Sequence, residues 1–86
     1  MRRVYDGLIT FDSTHQALGL ETILDTYGLD FDIRPIPQLL SAGCGLAIEF
    51  RLIDLDVIKQ VIIDNQTIYK AIYKKQDKQY NEIQKN

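Results

Sequence analysis

The stretch 30–52, "DFDIRPIPQLLSAGCGLAIEFRL", decides the fold. Phe31, Ile33 and Pro35 alternate with polar residues, and so do Leu46, Ile48, Phe50 and Leu52, which enclose Ala47, Glu49 and Arg51. Period-two spacing predicts two half-buried strands. Prolines at 35 and 37 take backbone donors out of the first, which places it at a sheet edge or ends it there. "QLLSAG" between the strands reads as a loop. Two strands thus follow each other with no long helix between them, and the flanking segments complete the order of elements.

Upstream, "YDGLITF" (5–11) is predicted as a strand with Gly7, Ile9 and Phe11 on one side and Asp6, Leu8 and Thr10 on the other. The spacing then becomes helical, with Ala17, Leu20, Leu24 and Tyr27 on one stripe beside Ile23. Ser13 followed by Gln16 is a capping-box pattern, and Gly28 stands where a helix stops. Downstream, Asp54 is expected to cap "LDVIKQVIIDN", a second helix with Leu55, Val57, Ile58, Val61 and Ile62 as its apolar positions. "TIYKAIYKK" (67–75) alternates again, setting Tyr69, Ala71 and Tyr73 against Ile68, Lys70, Ile72 and Lys74.

The order β-α-β-β-α-β predicts an α+β fold, the ferredoxin-like two-layer sandwich with antiparallel sheet order 4-1-3-2. One domain over residues 1–75 follows, and the tail 76–86, almost without apolar residues, is expected to be disordered. Both helices are expected on one face. The other face, with Thr10, Glu49, Arg51, Ile68 and Ile72, is expected to meet solvent or a second copy in a homodimer.

Bulk properties exclude several classes. The chain has 86 residues and a formal net charge of −2, which gives no basic surface for nucleic acid. One cysteine excludes an internal disulfide, and one histidine beside it leaves too few ligands for a transition-metal site. No metal or cofactor is therefore expected. No segment approaches the ~18 apolar residues of a membrane span, and "MRRVYDGLITFD" lacks the apolar core of a signal peptide. A free thiol without an export signal points to the cytoplasm.

The lone cysteine, Cys44, lies between Gly43 and Gly45 just before the strand beginning at Leu46. In the expected topology its loop and the start of the first helix (Ser13, Thr14, His15) share one end of the sheet. Counted back along the strand, Cys44 has the phase of Leu46 and Ile48 and tilts toward the helices. Two readings stand side by side. Lone cysteines are among the most buried residue types and usually pack as small hydrophobes. A thiol beside a helix N-terminus, with glycine amides free to turn toward it and His15 as a proton partner, is instead suited to nucleophilic chemistry.

"FDSTHQAL", Glu21, Gly28, "RPIP", Ser41 and "CGLAIEFR" resemble the small bacterial family of selenium/sulfur carrier-like proteins. Members typically show Phe-x-Ser-Thr at the first helix, a glutamate within it, a Pro-x-Pro segment and a Ser-x-x-Cys-Gly-Leu-Ala-like motif. Here these are Phe11, Ser13, Thr14, Glu21, Pro35, Pro37, Ser41, Cys44, Gly45 and Ala47, across residues 5 to 73. One departure is "IEF" where relatives usually end the strand in "LRF", which introduces Glu49.

The resemblance implies a carrier rather than a stand-alone enzyme. On that implication Cys44 would hold sulfur or selenium as a persulfide or selenium adduct; the expected topology, rather than the resemblance, adds His15 as a proton partner and Ser13, Thr14, Ser41, Gly43 and Gly45 as residues that would bind or stabilise the thiolate. The implied partners are a donor such as a cysteine desulfurase and an acceptor protein. A second hypothesis is a non-catalytic interaction or assembly module with a structural cysteine. A third is redox sensing through an intermolecular disulfide.

Overall fold

The computed structural model describes residues 4–37, 39–40 and 44–86. Its elements follow in the order β1 (Gly7–Thr10), α1 (Thr14–Thr26), β2 (Phe31–Pro35), β3 (Leu46–Phe50), α2 (Leu55–Asp64), β4 (Ala71–Gln76) and β5 (Gln79–Lys85), with a 3-10 turn at Leu52–Asp54 before α2. The strands form one antiparallel sheet in the order β2-β3-β1-β4-β5.

This corrects the four-stranded ferredoxin-like sandwich of order 4-1-3-2 expected from the sequence. The sheet has five strands, and the fifth comes from the tail 76–86 that was expected to be disordered. The reason is physical. An edge strand is held by its backbone ladder and can be polar along its length. Residues 79–85, "QYNEIQK", therefore form a strand while carrying no apolar alternation for periodicity to detect. Asp77 and Lys78 close the hairpin with φ of 51° and 67°. Gln84 Nε2 donates to the Tyr69 hydroxyl at 2.6 Å, which ties β5 to the core.

Both helices pack on one face of the sheet. Ile9 lies opposite Ile48 on one neighbour and Ile72 on the other. These three join Phe11 and Phe50, Ala17, Leu20 and Leu24 of α1, and Ile58, Val61 and Ile62 of α2 in one buried cluster. Ile72 thus faces the helices, which corrects its expected place on the opposite face. Ile68 is exposed and precedes β4. Gly7 stands opposite Phe50, and a Cβ built on it would lie 2.6 Å from Phe50 Cε2. The ring occupies the space a side chain would need.

The face away from the helices is not open either. Thr10 lies between Ala47 and Ala71, and all three are buried, as is Leu8 at 3 % exposure. Leu8 floors a groove of about 370 Å³ lined by Arg34, Pro35, Pro37, Glu49, Lys75 and Tyr80. Pro35 and Tyr80 belong to the two edge strands, so the sheet curls until both edges flank one hollow. Glu49 on this face pairs with Arg34 at 3.6 Å.

Local capping fixes where α1 starts and stops. Ser13 Oγ accepts the Gln16 N–H at 3.2 Å, and Gln16 Oε1 accepts the Asp12 N–H at 3.1 Å. Gly28 takes φ 69°, and the Leu29 N–H closes onto the Leu24 carbonyl at 3.2 Å. Ser13→Ala is expected to cost about 0.5–2 kcal/mol in urea unfolding. An unchanged midpoint would show that the cap is redundant. Asp54 was expected to cap α2, but its carboxylate makes no cap bond and instead meets Arg51 at 3.4 Å. Among the described residues no helix is long and apolar enough to cross a membrane.

Candidate functional site

Cys44 sits two residues before β3, at the end of the sheet where α1 begins. Its thiol donates to Thr14 Oγ1 at 3.6 Å. The Leu46 N–H donates to the sulfur at 3.3 Å. Thr14 is the first residue of α1, so the sulfur rests against the N-terminal turn of that helix. The Leu46 contact is a turn closed by the side chain two residues earlier, the pattern short polar side chains make where a chain enters a strand.

The thiol is not displayed. Cys44 is 1 % exposed and belongs to the apolar cluster with Phe11, Leu20 and Ile48. Of the two readings of the lone cysteine, this burial is that of the packed small hydrophobe, and it corrects the alternative of a thiol open to a partner. The strand phase that tilts Cys44 toward the helices also carries it beneath them.

The remaining expected site residues divide. Thr14 touches the sulfur directly. Ser13 spends its hydroxyl on the helix cap. His15 is exposed, and among the described residues the hydrogen-bond partners of Sγ are Thr14 and Leu46 rather than His15. Ser41 and Gly43 lie outside the described residues. Gly45 is exposed, and its carbonyl accepts the Ile36 N–H at 2.9 Å, continuing the β2–β3 pairing.

Nothing lies within 4 Å of a Cβ built on Gly45, and its φ is outside the left-handed region. Neither space nor backbone geometry demands glycine there. Gly45→Ala is therefore expected to leave stability unchanged or raise it by about 0.4–1 kcal/mol. A destabilised variant in thermal unfolding would reveal a constraint this geometry does not contain. The contact that sequence reasoning missed is the Leu46 N–H on the sulfur. Its one signal is the Cys-x-Leu spacing at the strand entry.

A family model described as "Putative Se/S carrier protein-like" matches residues 6–74, a span that contains Ser13, Thr14, Cys44 and Gly45. No curated protein and no solved structure matches the chain.

Proposed function

The chain belongs to the Se/S carrier protein-like family, and from that premise we propose that Cys44 is the carrier group. The observation that supports this reading most directly is the sulfur's position: at the first turn of α1, with the Leu46 N–H on it and the Thr14 hydroxyl beside it.

The chemistry is transpersulfidation. The Cys44 thiolate attacks the terminal sulfur of a donor protein's persulfide. The new S–S bond forms as the donor's S–S bond breaks, and the electron pair leaves on the donor cysteine as a thiolate. The proton displaced from Cys44 goes to solvent or to the donor. Delivery runs the same exchange toward an acceptor nucleophile and regenerates the Cys44 thiolate. No net oxidation occurs at either step. Selenium in place of the transferred sulfur follows the same balance. Because Cys44 is 1 % exposed, the sulfur must leave its contacts with Thr14 and Leu46 before a donor can reach it.

The test supplies a cysteine desulfurase and cysteine, then reads intact-protein mass without reductant. A gain of one sulfur atom on Cys44 supports the proposal, and the absence of any adduct sinks it.

A second reading is favoured by the burial itself. A thiol buried in the apolar core cluster is also what a structural cysteine in an interaction module looks like. That reading expects no adduct, together with a self- or hetero-complex that survives Cys44→Ser.

A further inference from the structure

The β4–β5 hairpin runs past the rest of the sheet. β1 pairs with β4 from Ala71 to Lys74 and the Lys75 N–H still donates to the Asp6 carbonyl at 2.9 Å, whereas β4 and β5 stay paired out to Gln76 and Gln79, so the hairpin stands clear of its neighbour from Gln76 to Gln79. Residues 74–79 are all exposed. Three of them are lysines: Lys74, Lys75 and Lys78. Lys74 stands opposite Gly7 on the helix side of the sheet, Lys75 lines the groove on the other side, and Lys78 is at the turn. Asp77 is the single carboxylate within the tip. The ion pairs of Arg34 and Arg51 do not involve these lysines.

The turn is conformationally unfavourable for its sequence. Asp77 and Lys78 both hold positive φ, the geometry of a type I′ hairpin turn, where Asn-Gly or Asp-Gly is the relaxed choice. Aspartate tolerates this region by local hydrogen bonding. Lysine has no such compensation, so glycine at 78 would be the more stable residue. A side chain kept against its backbone preference suggests a use for that side chain.

Charge is also segregated along the chain. Residues 70–85 hold five lysines against two carboxylates, while the rest holds five cationic residues against ten carboxylates. The family match ends at Lys74, so Lys75, Lys78 and all of β5 lie outside the matched span.

We propose that this hairpin tip is a docking finger for an acidic recess on a partner protein. Lysines pointing to both sides and to the end of a projecting hairpin fit a concavity lined with carboxylates better than a flat surface. A polyanion such as nucleic acid, or an anionic bilayer, extends past the tip and meets the acidic remainder of the chain, which repels it. A protein recess confines its negative charge to the tip. The inference is independent of the chemistry assigned to Cys44, which lies at the other end of the sheet.

The experiment uses the full chain and a fluorescein-labelled glutamate-rich peptide, read by anisotropy. The comparison probes are the glutamine version of that peptide, a single-stranded DNA oligomer and phosphatidylserine vesicles. The glutamate peptide is expected to bind in a salt-sensitive way. Lys75→Gln and Lys78→Gly should each weaken it about fivefold, the factor expected for one unit-charge contact near 4 Å in water. Lys59→Gln, on α2, should leave it unchanged. Lys78→Gly should also raise the melting temperature, so the weaker binder is the more stable protein.

The proposal is overturned if the glutamate peptide does not bind, if the glutamine peptide binds equally, or if the tip variants bind like the parent. Tighter binding to DNA or vesicles than to the peptide also overturns it. So does a Lys78→Gly melting temperature that is unchanged or lowered.

Discussion

Cys44→Ser is expected to abolish adduct formation completely while leaving the protein folded. Serine is the closest replacement for the thiol. Its hydroxyl can still donate toward Thr14 and accept the Leu46 N–H. What it loses is the nucleophile, because the thiolate is the reactive form and an alcohol offers no equivalent near neutral pH. The substitution also places a more polar group at a site that is 1 % exposed, and an imperfectly paired buried hydroxyl costs about 1–3 kcal/mol. A lower melting temperature with a native circular-dichroism spectrum is therefore expected beside the lost adduct. Intact mass after incubation with a desulfurase and cysteine reads the first effect, and thermal unfolding reads the second. A serine variant that still gains a sulfur atom would move the carrier role off Cys44. Alkylation by iodoacetamide is the weaker probe, because burial makes its rate report how often the sulfur is uncovered rather than how nucleophilic it is.

Gly7→Ala is expected to destabilise the fold by about 1–3 kcal/mol, the usual penalty for overpacking a filled core. The added methyl would lie 2.6 Å from Phe50 Cε2, and the ring is fully buried among Ile9, Ile48 and the helices. It can give way only by displacing its neighbours. For a domain of this size each 1 kcal/mol lowers the melting temperature by roughly 4–8 °C, so the effect is easily read. Phe50→Leu in the Gly7→Ala background should recover part of the loss, because a smaller side chain vacates the space the methyl needs. A double-mutant cycle with no coupling between positions 7 and 50 would show that the glycine serves some other purpose.

How far the fold and site are legible in the sequence differs from element to element. α1 is readable from Ser13 to Gly28 because its stripe, its cap and its left-handed stop are each written within one turn of chain. The strands 31–35 and 46–50 are readable because the residues they turn to the core, Phe31, Ile33, Leu46, Ile48 and Phe50, are large and apolar and alternate with Asp32, Arg34, Ala47 and Glu49. β5 is not readable, since backbone pairing with β4 supports it and its side chains have no core to fill. Ile72 is misread for a related reason. The alternation in 67–75 is apolar on both phases, so the pattern cannot say which phase faces the helices, and only the pairing with Ile9 does.

The site divides along the same line. The sequence by itself determined that the one cysteine enters a strand and that a capped helix starts shortly after the first strand, because both are local patterns of spacing and hydrogen bonding. It also carried the family's motifs in order. Only the tertiary structure decided that Thr14, thirty residues earlier in the chain, shares a hydrogen bond with the Cys44 thiol, that His15 faces solvent, and that the sulfur is buried. Those outcomes depend on how α1 lies across β3 and on what covers the strand entry. Neither can be computed from spacing, because each is set by contacts between residues far apart in sequence.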